Sequence, residues 1–290
     1  MFAMQRVPAR MSSMVAMVGI AALLGVGCGG TEAAPDAGPV DPLGLHDWAD
    51  AEVRSSGSRW VGGRLPEHDP EARPPAALRA ESERAGLSVH APDEVSDTTV
   101  ANALRGIEAM HDLMTNEGWP APLADAGLGG TPGTDLYFVD DLAPARAGFD
   151  ERALHTYLDR ASTFARLSTS TSPSDVAACA GVAYAEAVLF SADPAEAESW
   201  RRATAAYLSE RLTGRWGCED EALAIQHEAN EAFVAYADEP PRAGGALLLA
   251  AMAERHEEVP GEFVASLWDL ASQRTWEGEG YRGSPDLWEA

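Results

Sequence analysis

The chain has 290 residues, with 46 acidic and 21 basic side chains and a net charge of −25, and every basic residue is an arginine. A surface this acidic repels phosphate backbones and anionic headgroups, which argues against nucleic acid and against peripheral binding to a bilayer. Seven histidines are spread along the chain without a cluster, so neither a resident metal nor another cofactor is expected.

Arg6 and Arg10 precede an uncharged run, Met11 to Gly27, that ends at Cys28. A basic start, a short apolar stretch and small residues before a cleavage point predict a secretory signal over residues 1–27. The run stops short of the roughly 20 apolar residues that a membrane-spanning helix needs. The ending Leu24-Gly25-Val26-Gly27-Cys28 resembles the lipobox of bacterial lipoproteins, with Leu24 one place further from the cysteine than the usual pattern. That resemblance implies acylation of Cys28 and a cell-envelope location, the outer membrane being favoured over the inner. The lipid would then be the protein's membrane contact. An ordinary cleaved signal with an incidental cysteine is the alternative. Residues 28–45 are mostly Gly, Pro, Ala and Asp, a tether composition that can span some tens of ångströms at about 3.1 Å per residue. Both Arg6 and Arg10 lie in the signal, so the remainder carries 19 of the 21 basic groups against all 46 acids, near −27.

Residues 46–95 are rich in Pro, Arg, Glu and Ser and read as a loosely ordered wrapping segment. A helix is predicted from Ser96 or Asp97. Val100, Leu104, Ile107, His111 and Met114 recur at helical spacing, and Gly118 and Pro120 end it. The Gly-rich stretch 125–134 predicts turns, and Asp135 to Asp141 a short strand marked by Leu136 and Phe138. Ser162 to Ser168 is a weaker strand candidate. Val176 to Phe190 is apolar on nearly every face and predicts a buried central helix. Trp200 to Thr213 is amphipathic, with Trp200, Ala203, Thr204, Tyr207, Leu208 and Leu212 inward. Gly245 to Arg255 and Glu262 to Trp276 predict two further helices, so residues 96–290 read as one mainly helical domain. Ser284-Pro285 looks like a helix start six residues before the end. It is consistent with a C-terminal portion absent from this product, or with a frayed terminal turn.

The stretch from Val176 to Gly214 resembles the active-site helical hairpin of secreted zincin-type (HExxH) metallopeptidases. Framework positions Ala178, Trp200, Thr204, Ala205, Tyr207 and Glu210 match it, and residues 118–141 resemble the segment that precedes it. The resemblance implies an α+β, predominantly α-helical fold: a zincin-like helical hairpin with a small β element. It also places the first zinc ligand on Cys179, the catalytic base on Ala180, the second ligand on Ala183 and the third on Arg202. One thiol, two methyl groups and a guanidinium do not make a tetrahedral site or deprotonate a bound water. The resemblance therefore implies a pseudoenzyme with a binding or structural role. An active envelope hydrolase with a different site, or an accessory subunit of an envelope complex, are the alternatives.

Other candidates are weaker. His227 and His256, each next to a glutamate, lack a second histidine at helical spacing. Asp125, Asp135, Asp140 and Asp141 could gather around calcium, or serve equally well as turn and strand-end acids. Glu186, in the apolar helix, reads as a desolvated carboxylate satisfied by an arginine or a backbone amide. Trp216, Trp268, Trp276 and Trp288 read as core. With Cys28 committed to lipid, Cys179 and Cys218 remain, and an oxidising compartment invites their pairing. They sit near the start of the first hairpin helix and just past the end of the second, ends that antiparallel helices bring together. Two buried free thiols are the alternative.

Overall fold

The structure, a computed structural model, describes residues 71–83, 85–140, 143–152, 160–194, 196, 198–218, 245–256, 259, 261–271, 276–277 and 280–281. The predicted signal, Cys28, the tether, His227, Asp141 and Ser284-Pro285 lie outside the described residues.

The centre of the domain is a five-stranded mixed sheet of order β1-β2-β3-β5-β4. Its strands are β1 (Ala77–Glu81), β2 (Ser88–Ala91), β3 (Asp135–Val139), β4 (Ala145–Arg152) and β5 (Ala161–Ser168). β2, β3 and β5 run parallel, while β1 and β4 pair antiparallel at the two edges. This corrects the expectation of a predominantly helical domain with a small β element: the fold is α/β. Two of the strands, β1 and β2, lie in the segment read as loose wrapping. The reason is physical. A strand of four or five residues carries too few side chains to show a period, and β4, reading ARAGFDER, has poor intrinsic strand propensity. Pairing with neighbours makes these strands, and pairing is not local.

The helices among the described residues are α1 (Asp97–Asn116), α2 (Val176–Ala192), α3 (Glu198–Thr213), α4 (Gly245–His256) and α5 (Glu262–Ala271). The predicted helix after residue 261 is shorter than expected, and Trp276 instead belongs to a two-residue strand, Trp276–Glu277, paired with Gly280–Tyr281. Ser96 caps α1 by accepting from the Thr99 amide at 3.2 Å, and the chain leaves α1 through Gly118 at φ +76°. β2, α1 and β3 form a crossover unit.

Val89, Leu136, Phe138, Ala165 and Leu167 point from one face of the sheet into a single core with α1 and α2. α2 is buried almost all round, as its uniform apolarity predicts. α1 and α2 approach so closely that a Cβ on Gly106 would stand 2.1 Å from the Ala177 carbonyl oxygen. Trp268 of α5 is fully buried and donates its indole N–H to Thr204 of α3 at 3.1 Å. The alternate residues of the strands, Ser88, His90, Asp135, Tyr137, Phe164 and Asp150, project to the opposite, polar face.

Candidate functional site

Cys179 and Cys218 are joined by a disulfide, with Cα atoms 4.4 Å apart and a sequence separation of 39. Both are fully buried. The link ties the first turn of α2 to the chain just past α3, and Arg215 reinforces it. Its guanidinium pairs with Asp175 at 2.7 Å and donates to the Cys218 carbonyl at 3.2 Å.

Cys179, Ala183 and Glu186 share one stripe of α2 by helical spacing. Cys179 reaches Cys218 and Glu186 lies 3.9 Å from Arg202, so the stripe faces α3 and its extension. Ala180 and Ala183 have no exposed surface. Arg202 also lies 3.4 Å from Glu198. Its partner Glu186 is seven residues beyond Cys179, about 10 Å along the helix axis at 1.5 Å per residue. The hairpin therefore does not bring Arg202 together with Cys179. His256, exposed at the end of α4, stacks on Phe263 at 5.4 Å. His111 bonds the Tyr184 hydroxyl at 2.8 Å, and burial pushes the Tyr184 phenol well above its ordinary pKa. Among the described residues no group of three or more His, Cys, Asp or Glu is arranged to hold a metal ion.

The polar face of the sheet holds a second cluster, centred on a residue that no sequence signal marks. Arg73 lies in the irregular segment 71–76, which crosses that face: the Glu71 amide donates to the Phe149 carbonyl at 2.7 Å, and the Glu71 carboxylate pairs with Arg166 at 3.0 Å. The Arg73 guanidinium makes a fork to Asp150, Nε to Oδ1 at 2.8 Å and Nη2 to Oδ2 at 2.5 Å. Nη2 also pairs with Asp125 at 2.6 Å, and Nη1 donates to Asp135 and lies 3.3 Å from the Tyr137 hydroxyl. The guanidinium carbon sits 5.9 Å from the Tyr137 ring centre and 5.3 Å from that of Phe164.

Each carboxylate is aimed by its local backbone. Asp150 occupies a β-bulge in β4, where the register to β5 shifts between Phe149 and Glu151; a bulge leaves one residue free of the ladder and re-aims its side chain. Asp125 opens the Gly-rich turn and accepts from the Gly127 amide at 2.8 Å and the Gly129 amide at 3.3 Å. Asp135 begins β3, and its Oδ1 accepts from Ser88 and from His90 Nε2 at 3.0 Å. The His90 ring stacks on Tyr137 at 4.4 Å. Gly129 must be glycine here, because a Cβ would fall 1.7 Å from Asp135 Oδ2.

The electrostatics follow from this packing. Burial works against the Arg73 charge, but the hydrogen bonds to Asp150 and Tyr137 and the nearby carboxylates outweigh it and raise its pKa. Burial likewise pushes Asp135 up, yet His90, Ser88 and Arg73 outweigh that and hold it below the ordinary carboxylate value. Asp125 moves the other way: burial, helped by the Asp135 charge, raises it despite the Gly127 amide and Arg73. Burial also raises the Tyr137 phenol.

Of the four acids suspected of gathering around calcium, the structure brings Asp125 and Asp135 together and adds Asp150. Asp140 is exposed at the end of β3. The cation at their centre is a guanidinium of the chain itself. No protein-family model matches the chain, and no curated protein is significantly similar to it.

Proposed function

We propose that this chain is an exported, lipid-anchored envelope protein with a binding or structural role, a non-catalytic relative of zinc metallopeptidases. One observation carries the reading. On α2, the turn that would hold and use a metal has its cysteine committed to a disulfide and its other two positions, Ala180 and Ala183, sealed as buried methyl groups. A catalytic zinc site needs three donor side chains and an open position for water, and the water needs a base within hydrogen-bond reach. The disulfide takes over the fastening of the hairpin, and a bond of this kind persists in oxidising compartments, which supports a location outside the cytoplasm.

The test is direct. The purified protein is incubated with casein and with a peptide library, with and without chelator, and its metal content is measured by mass spectrometry. No turnover and far less than one zinc per chain are expected. Chelator-sensitive turnover, or stoichiometric zinc, would overturn the proposal. The carboxylates around Arg73 favour a second reading, a hydrolase working without metal. Its mark would be chelator-resistant turnover that disappears in Asp135→Asn. The guanidinium standing between the three carboxylates makes this the weaker choice, since a substrate would have to displace it.

A further inference from the structure

The cluster under residues 71–76 is buried, charged and unused by the function proposed above. We propose that this segment is a strap that opens and closes over the polar face of the sheet, with Arg73 as its latch. The inference does not depend on lipid anchoring or on the history of the hairpin.

Three observations support it. First, the strap itself contributes nothing to the hydrophobic core: none of residues 71–76 belongs to either apolar cluster or packs against one. Among the described residues its contacts include the Glu71 amide on Phe149, Glu71 on Arg166, the Arg73 fork and the Arg73 guanidinium over the Tyr137 and Phe164 rings. Second, what lies beneath is polar apart from the Phe164 ring, which the guanidinium covers at 5.3 Å. Ser88 and His90 on β2, Asp125 in the turn, Asp135 and Tyr137 on β3 and Asp150 on β4 are all buried, and all but Asp125 project from the face opposite the helices. Lifting the strap therefore hydrates carboxylates and a histidine while the core with α1 and α2 stays closed, the condition for a local opening that costs less than global unfolding. Third, Pro74 and Pro75 follow the latch, and the Ala76 amide donates to the Pro74 carbonyl at 2.9 Å. Proline fixes φ, so the piece carrying Arg73 is stiff and moves about its junction with β1.

The recess that Arg73 leaves is shaped for a planar fork: two oxygens of Asp150 in line, Asp125 and Asp135 at the sides, and two aromatic rings nearby. Arginine matches such a site in a way that a compact cation does not.

Native-state hydrogen exchange on the full chain tests the idea, first in the wild type and then in Arg73→Ala and Arg73→Lys. In the wild type, the hydrogen-bonded strap amides of Glu71 and Ala76 should open before those of 103–114 and 179–190. In Arg73→Ala the first group should exchange at least about tenfold faster while the helices keep their wild-type rates, since charged hydrogen bonds of this kind exceed 1.4 kcal/mol together. Arg73→Lys should fall between. Guanidinium chloride at about 5 mM, far below denaturing concentrations, should slow the exchange of Arg73→Ala again, and sodium chloride at equal ionic strength should not. If the wild-type strap and helices open together, if Arg73→Ala accelerates every region alike or none, or if calcium or sodium chloride restores protection where guanidinium does not, the latch is refuted. Should Arg73→Ala fail to fold, the wild-type order of opening and the Arg73→Lys variant still decide it.

Discussion

Asp125 and Asp135 flank the same guanidinium, yet removing their charges should act on stability in different ways. Asp135 accepts from Ser88, His90 and Arg73 at once. An asparagine there would turn an NH2 group either toward Ser88 and His90 or toward Arg73, so donors would face donors in a buried site. Breaking one member of a buried, hydrogen-bonded ion pair costs about 3–5 kcal/mol, and we expect Asp135→Asn to lose about 3 kcal/mol at neutral pH. Asp125 is different, because the fold already disfavours its ionised form. Asp125→Asn keeps an oxygen for the Gly127 amide, removes a charge that burial opposes, and should stay within about 1 kcal/mol of the wild type.

The pH dependence separates the two further. Asp135 has a lowered pKa in the fold, so its contribution is present above the unfolded carboxylate pKa of about 3.9 and is lost as pH falls through the lower folded value. Asp125 has a raised pKa, so its contribution is full below about 3.9 and is lost as pH rises through the higher folded value. Urea unfolding followed by far-ultraviolet circular dichroism between pH 3 and 8 reads both. Asp125→Asn should gain on the wild type as pH rises through that upper window, and Asp135→Asn should lose most there. Equal losses from the two variants at pH 7, or a loss in Asp125→Asn that grows with pH, would refute the reasoning.

Replacing both Cys179 and Cys218 with serine should cost about 4 kcal/mol, the chain-entropy value for a loop of this length. Reductant should lower the melting temperature of the wild type but leave that variant unchanged. Gly106→Ala places a methyl group against the Ala177 backbone, which neither helix can yield without separating. A loss of at least about 2 kcal/mol is expected in thermal unfolding, against the slight gain in helix propensity that the same change brings at an open site. Cys28→Ala, expressed in a bacterium with a lipoprotein pathway, should abolish incorporation of labelled palmitate and move the protein from the membrane fraction to the soluble one.

The helices and the sheet differ in how far the chain announces them, for a reason visible in single elements. α1 has a cap at Ser96, apolar residues at helical spacing and a stop at Gly118, all within 23 residues, so local rules suffice to predict it. α2 is uniformly apolar, and burial on every side is what such a pattern requires. β4 carries arginines, a glycine and acids and becomes a strand because β5 lies beside it. β1 and β2 were hidden in a Pro- and Arg-rich stretch for the same reason. Elements defined by distant partners leave little trace in their own composition.

The Arg73 cluster shows the same rule at the level of a site. Its members come from five stretches of chain, at 73, 88–90, 125, 135–137 and 150, so no spacing motif joins them. Two of the aspartates stood out because glycines surround them, but their chemistry could not be read without the partner in the middle. Three acids near a Gly-rich turn suggest a divalent cation when viewed alone. An arginine delivered from residue 73 makes the same acids a lock for a chain segment instead. The identity of the counter-charge decides the function of such a cluster, and only the fold supplies it. In this protein the disulfide between Cys179 and Cys218 and the latch at Arg73 hold opposite sides of one sheet-and-helix body. They fail under different conditions, reductant for the first and loss of carboxylate charge for the second. A variant lacking either one should therefore still report on the other, provided unfolding is followed separately at α2 and at β3.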